Sequence, residues 1–87
     1  MLNFPNKSRV FDPSRHAVRF WGHDSAMEWS FFVTEDALRR LQPNMGHDEA
    51  SVLRAFGDNR NAIHVAAMRA YSREQKGSYE LGATDFL

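Results

Sequence analysis

Eighty-seven residues, 43% of them hydrophobic and none of them cysteine, read as a single domain over 1–87. Such a chain buries about 60–65% of its unfolded surface and has neither a disulfide framework nor a cysteine-based metal site or nucleophile. Eleven Lys and Arg against eleven Asp and Glu give a formal net charge of zero, so no whole-molecule field draws the chain to nucleic acid or to an anionic membrane.

In chain order, Asp12-Pro13-Ser14 reads as a turn, because Pro presets φ and Asp caps from the first position. It should reverse a short strand near Lys7–Phe11 into Arg15–Trp21. The stretch Ala17–Val33, AVRFWGHDSAMEWSFFV, alternates on either side of Gly-His-Asp-Ser and predicts a β-hairpin over about 16–33 with its loop at His23-Asp24. That register sets Phe20 opposite Met27, Val18 opposite Trp29, His16 opposite Phe31 and Arg19 opposite Glu28, so apolar pairs and an opposite-charge pair fall on separate faces. The expected core face is Val18, Phe20, Met27, Trp29, Phe31 and Val33.

Thr34 reads as a helix N-cap with Glu35 and Asp36 in the first turn. Ala37, Leu38 and Leu41 form the apolar stripe, and Pro43 ends the helix. A second helical pattern begins near Asp48-Glu49 and holds its phase through Val52, Leu53, Phe56, Ile63, Ala67, Ala70 and Tyr71. Carried straight to Gln75 it would span about 40 Å, against a radius of gyration of about 12 Å for a chain this size. A break near Gly57 is therefore expected, with Asp58 and Asn59 as caps for a restart, and Gly77 as the C-terminal stop. Ser78-Tyr79-Glu80-Leu81 alternates as a last short strand. The fold class is α+β: a small antiparallel sheet packed by a short helix and a long, broken C-terminal helical region. Its core should hold Phe20, Trp29, Phe31, Leu38, Phe56, Ile63 and Tyr71.

The segments FPNKSRVFD, AVRFWGHDSAMEWSFFVTEDAL, AFGDNR and SYELGATDF, in that order, resemble a small bacterial family known as domain of unknown function 1488. The resemblance covers nearly the whole chain and includes no catalytic signature. It implies a stand-alone small α+β protein of bacteria, and it carries over no catalytic or binding residue.

Candidate chemistry is sparse. No two of the four histidines, His16, His23, His47 and His64, have helical i, i+4 ligand spacing, and there is no His-Glu-x-x-His motif, so no metal or cofactor is expected. His23, Asp24 and Ser25 are the residue types of a hydrolase triad, but consecutive residues in a tight turn point apart and cannot form one. Glu28 and Glu80, both in predicted strands, could face each other across a sheet, but an exposed Glu28 paired with Arg19 is the simpler reading. No catalytic constellation assembles. Arg60, Arg69, Arg73 and Lys76 make the end of the long helix basic, which suits its dipole and could also grip an acidic partner or phosphate.

The outer side of the hairpin is the surface that invites a partner, through Arg15, Arg19, Trp21 and Phe32. Three covers are open to it. The termini, Leu2-Phe4 or Phe86-Leu87, could fold over it. A protein partner or a second copy could bind it, since exposed large aromatics mark contact surfaces. Bases of single-stranded nucleic acid could stack on it, although Glu28 and the zero net charge oppose that. The expected function is a non-catalytic interaction or regulatory role, with self-association among its forms. No run reaches the ~18 apolar residues of a membrane span, and MLNFPNKSR lacks the charged-then-apolar layout of a signal peptide, so a cytoplasmic location is expected.

Overall fold

The computed structural model describes residues 1–87. Its elements are β1 (Val10–Asp12), β2 (Ala17–Asp24), β3 (Met27–Thr34), α1 (Glu35–Leu41), α2 (Glu49–Asp58), α3 (Arg60–Arg73) and β4 (Ser78–Leu81), closed by a 3-10 turn over Ala83–Phe86. The strands lie in the order β1-β2-β3-β4. The first two pairings are antiparallel, but β4 runs parallel to β3. The class is α+β as expected, and the sheet is mixed rather than antiparallel throughout. The helices between β3 and β4 supply the long crossover that a parallel neighbour requires.

The hairpin register differs from the one read off the sequence. Asp24 faces Met27, Phe20 faces Phe31, Val18 faces Val33 and Arg19 faces Phe32. The turn is therefore Ser25-Ala26, with Ser25 at φ 57°; a positive φ at the first turn position suits the twist of a two-residue hairpin. Gly22, His23 and Asp24 belong to the strand. Asp12 accepts from the backbone N–H groups of Ser14 and Arg15, as its turn position predicts. His16 lies in that turn with φ 50° and sits 3.6 Å from Glu35 Oε2, not opposite Phe31.

Both registers keep the same parity, so the inner face stands apart from one residue. Val18, Phe20, Phe31 and Val33 are fully buried beside Leu38, Val52, Phe56, Ile63 and Leu81. Phe20 packs 5.4 Å from Phe31 and 5.3 Å from Phe56, ring centre to ring centre. Met27 shares this side at the hairpin tip and is 56% exposed. Trp29 and Tyr71 are half-buried at the core edge, their rings 5.9 Å apart. The N-terminal segment completes this layer: Asn3 and His23 exchange two backbone hydrogen bonds of 2.8 Å, which carries Leu2 and Phe4 onto the inner face.

Thr34 Oγ1 accepts from the Ala37 N–H, and Asp48 likewise caps α2 through the Ser51 N–H. The long helical pattern breaks at Asn59 (φ −118°, ψ 22°). Its side-chain amide donates to the Ala55 carbonyl at 2.8 Å and to Gln42 Oε1 at 3.1 Å, which ends α2. Gly57 lies inside α2, and a Cβ on it would meet nothing within 4 Å, so the glycine is not the seat of the break. Helix α3 ends at Arg73, ahead of the stop expected at Gly77. The Cα radius of gyration is 12.1 Å.

Candidate functional site: the helix-free face of the sheet

All the helices stack on the inner face, so the outer face of the sheet is bare of secondary structure. Strand alternation assigns it Val10 and Asp12 from β1, Arg19, Trp21 and His23 from β2, Glu28, Ser30 and Phe32 from β3, and Ser78 and Glu80 from β4. Phe32 is only 6% exposed, yet neither it nor Ala17 belongs to the contiguous core. Its cover is cationic. The Arg15 guanidinium carbon lies 4.1 Å from the Phe32 ring centre, and that of Arg19 lies 5.7 Å from Phe32 and 5.2 Å from Trp21. Arg19 also donates to Ser30 Oγ at 2.9 Å. Cation–π contacts of this kind add about 0.5–1 kcal/mol at exposed sites.

The structure thus brings Arg15, Arg19, Trp21 and Phe32 together in one patch. The N-terminal residues Leu2 and Phe4 lie on the opposite face, and Phe86 packs on the core. Sequence reading places the four side chains on one side but not the arginines over the rings. The one signal for that is the i, i+2 spacing of Arg19 and Trp21.

Across the strands the outer residues form rows. One row reads Val10, Arg19, Phe32, Glu80, and the next reads Trp21, Ser30, Ser78. Arg19 makes no ion pair with Glu28, which lies opposite His23 instead, with His23 Nε2 3.0 Å from Glu28 Oε2 but off line for a hydrogen bond. Glu28 and Glu80 share the outer face in separate rows and do not form a carboxylate pair. Asp24 points inward, where the Met1 ammonium and the Tyr71 hydroxyl, in that order of effect, hold its carboxyl below the usual range. His23 and Asp24 therefore face opposite sides of the sheet, and the triad residue types are dispersed.

Other clusters are less organised. A polar cleft of about 370 Å³ between the β1–β2 turn and α1 is lined by Arg15, His16, Glu35, Asp36, Arg39 and His47. Arg39 there reaches His47 Nδ1 at 3.1 Å and Asp36 Oδ1 at 3.5 Å. No group of three or more His, Asp and Glu side chains converges as a metal ion would need. Of the basic residues of α3 and its flank, Arg69 and Arg73 line one shallow depression with Val65, Met68 and Ser72, while Arg73 pairs with Asp85 at 3.3 Å, Lys76 with Glu74 at 3.7 Å, and Arg60 lies over the Phe56 ring.

His64 stacks on Phe4 at 3.9 Å, with the rings 7° from parallel. Burial, then the charges of Arg60 and Lys7, lower its pKa from 6.5 to about 4. Between those values the unfolded chain binds a proton that the folded chain refuses. Stability is therefore full above pH 6.5 and falls as the pH drops toward 4, by at most about 1.4 kcal/mol per pH unit and by less to the extent that solvent reaches the ring. The lowered carboxyls Asp12, Asp24 and Asp48 act in a lower window, since what they add is lost only as the pH falls below their ordinary 3.8. The thermal midpoint should drop between pH 7 and pH 5 in the wild type and stay nearly level in His64→Phe. Equal drops in both would remove His64 as the cause.

Fold and site together define an α+β protein whose mixed sheet is packed by helices on one side and open on the other, with an arginine-covered aromatic patch on the open side. The chain belongs to the DUF1488 family, described as a protein of unknown function, whose profile matches residues 2–81. It is similar to the crystal structure, at 1.60 Å resolution, of a protein of unknown function from the DUF1488 family of Shewanella loihica PV-4. The TM-score is 0.81 at 16% identity, over 92% of this chain and 90% of that one, and at that identity the likeness concerns the fold alone. No curated protein matches the chain. No helix is long and apolar enough to cross a membrane.

Proposed function

We propose that residues 1–87 act as one non-catalytic interaction domain of the bacterial cytoplasm, whose contact surface is the outer sheet face around Arg15, Arg19, Trp21 and Phe32. The observation that carries this reading is the state of Phe32. A large aromatic side chain that is only 6% exposed lies under two guanidiniums and outside the contiguous core. Aromatic and arginine side chains at the centre of a surface, with polar residues around them, are the composition of contact sites between proteins. A catalytic reading has less support, because His23 and Asp24 face opposite sides of the sheet. Single-stranded nucleic acid is the weaker alternative: Arg15 and Arg19 already occupy the ring faces on which bases would stack, and Glu28 and Glu80 share the surface.

The test is photocrosslinking in cells from a benzophenone amino acid at position 21, with one at position 58 on the helical side as control. Protein adducts at 21 and none at 58 are expected. Nucleic-acid adducts at 21 would move the reading to the alternative, and adducts at neither position or equally at both would overturn it.

A further inference from the structure

The outer face is complementary to itself. In the row Arg19, Phe32, Glu80, a cation and a carboxylate flank an aromatic ring at equal strand separation, β2 and β4 on either side of β3. Within one copy neither charge has an ion-pair partner: Arg19 bonds only Ser30 Oγ, and the Glu80 carboxylate bonds nothing. The neighbouring row, Trp21, Ser30, Ser78, sets the largest side chain on one flank and small ones in the middle and on the other flank.

A two-fold axis in the plane of contact and parallel to β3 exchanges the flanks while keeping each row in place. Each Phe32 then lies on the axis beneath its own guanidinium cover, the Arg19 position faces Glu80 of the second copy twice by symmetry, and each Trp21 faces a Ser78. An axis laid across the strands through the same row would stack Arg19 on Arg19 and Glu80 on Glu80. Charge therefore selects the first arrangement, an aligned face-to-face pairing of sheets of the kind that closes symmetric dimers.

We propose that the partner of this face is a second copy of the chain, seated about a two-fold axis along β3 with reciprocal Arg19–Glu80 ion pairs and Trp21 over Ser78. This rests on the reading of the outer face as the contact surface. About this axis only β2, β3 and β4 overlap, and β4 is four residues long, so strands about 4.8 Å apart with a rise of about 3.4 Å per residue give a flat footprint on the order of 300 Å² per copy. That is well below the ~800 Å² per partner of a standard interface, so the pairing is a weak one and is sought from micromolar concentration upward.

Sedimentation equilibrium from micromolar to submillimolar concentration tests it with the wild type, Arg19→Glu, Glu80→Arg and the double reversal in one chain. Both positions are exposed, and far-ultraviolet circular dichroism confirms folding. The wild type should dimerise. Each single reversal places two like-charge contacts in the interface and should weaken the dimer at least ~10-fold. The double reversal restores the dimer. Mixing the two singles yields a heterodimer, because the glutamate introduced at position 19 of one copy faces the arginine introduced at position 80 of the other, and the native Glu80 and Arg19 face each other at the symmetric contact. A monomeric wild type, singles that dimerise as the wild type does, or a mixture that stays monomeric overturns the proposal. A monomeric wild type that crosslinks another protein from position 21 leaves the contact surface standing and removes only the second copy.

Discussion

Replacing Phe31 with Ala should lower the unfolding free energy by about 3–5 kcal/mol, the range for removing a fully buried aromatic side chain. Phe31 has no exposed surface. Its ring is stacked between Phe20 at 5.4 Å and Tyr79 at 5.0 Å, with Phe4 against its edge at 6.1 Å. It thus joins three chain segments that are distant in sequence: the N-terminal stretch, the hairpin and β4. A chain of this length has on the order of 4–13 kcal/mol of stability in all, so the variant should be partly unfolded or close to it at 37 °C. Urea denaturation reads the loss as a shift in midpoint. A midpoint within error of the wild type would mean that Phe31 is not at the centre of the core. Trp29→Ala should cost less, because Trp29 is only half-buried.

The second large effect is expected at Gly22. A Cβ there would lie 2.9 Å from Leu2 Cδ1 and 3.0 Å from ring carbons of both Phe31 and Phe4. Leu2 can turn its methyl aside, but Phe31 is fixed in the core. Gly22→Val should therefore cost about 1–3 kcal/mol by overpacking, and Gly22→Ala should cost less. The damage has a location. The backbone bonds between Asn3 and His23 close the N-terminal segment over Gly22, so the amide protons of these two residues should lose exchange protection first. Wild-type stability with both amides protected would show that the segment does not pack on this glycine.

Gly22 also shows why the hairpin is only partly legible in the sequence. Gly-His-Asp-Ser has the composition of a turn, and a loop centred there offers an Arg19–Glu28 pair as corroboration. The glycine is instead required by Leu2, Phe4 and Phe31, which belong to the N-terminal segment and to the partner strand. Local pattern cannot display such contacts. The inner face is still legible at Val18, Phe20, Phe31 and Val33, because the two registers differ by an even step and leave every side chain on its own side. The caps Thr34 and Asp48 are legible because capping is local chemistry within three residues. The direction of β4 is not, because alternation in Ser78–Leu81 is the same for either sense of pairing. At the candidate site, alternation places Arg15, Arg19, Trp21 and Phe32 on one side. The guanidinium cover on Phe32 and the row that aligns Arg19 with Glu80 depend on the true register and on β4 lying beside β3, which only the tertiary structure supplies.

The strict division between the two sides of the sheet makes the chain a natural display scaffold. Outward positions such as Trp21, Ser30, Ser78 and Glu80 can be randomised as a library while the inward set that holds the helices is untouched. Because the chain contains no cysteine, one introduced at Ser30 would be its sole thiol, so a dye, a crosslinker or a surface tether could be attached at the middle of that side and nowhere else.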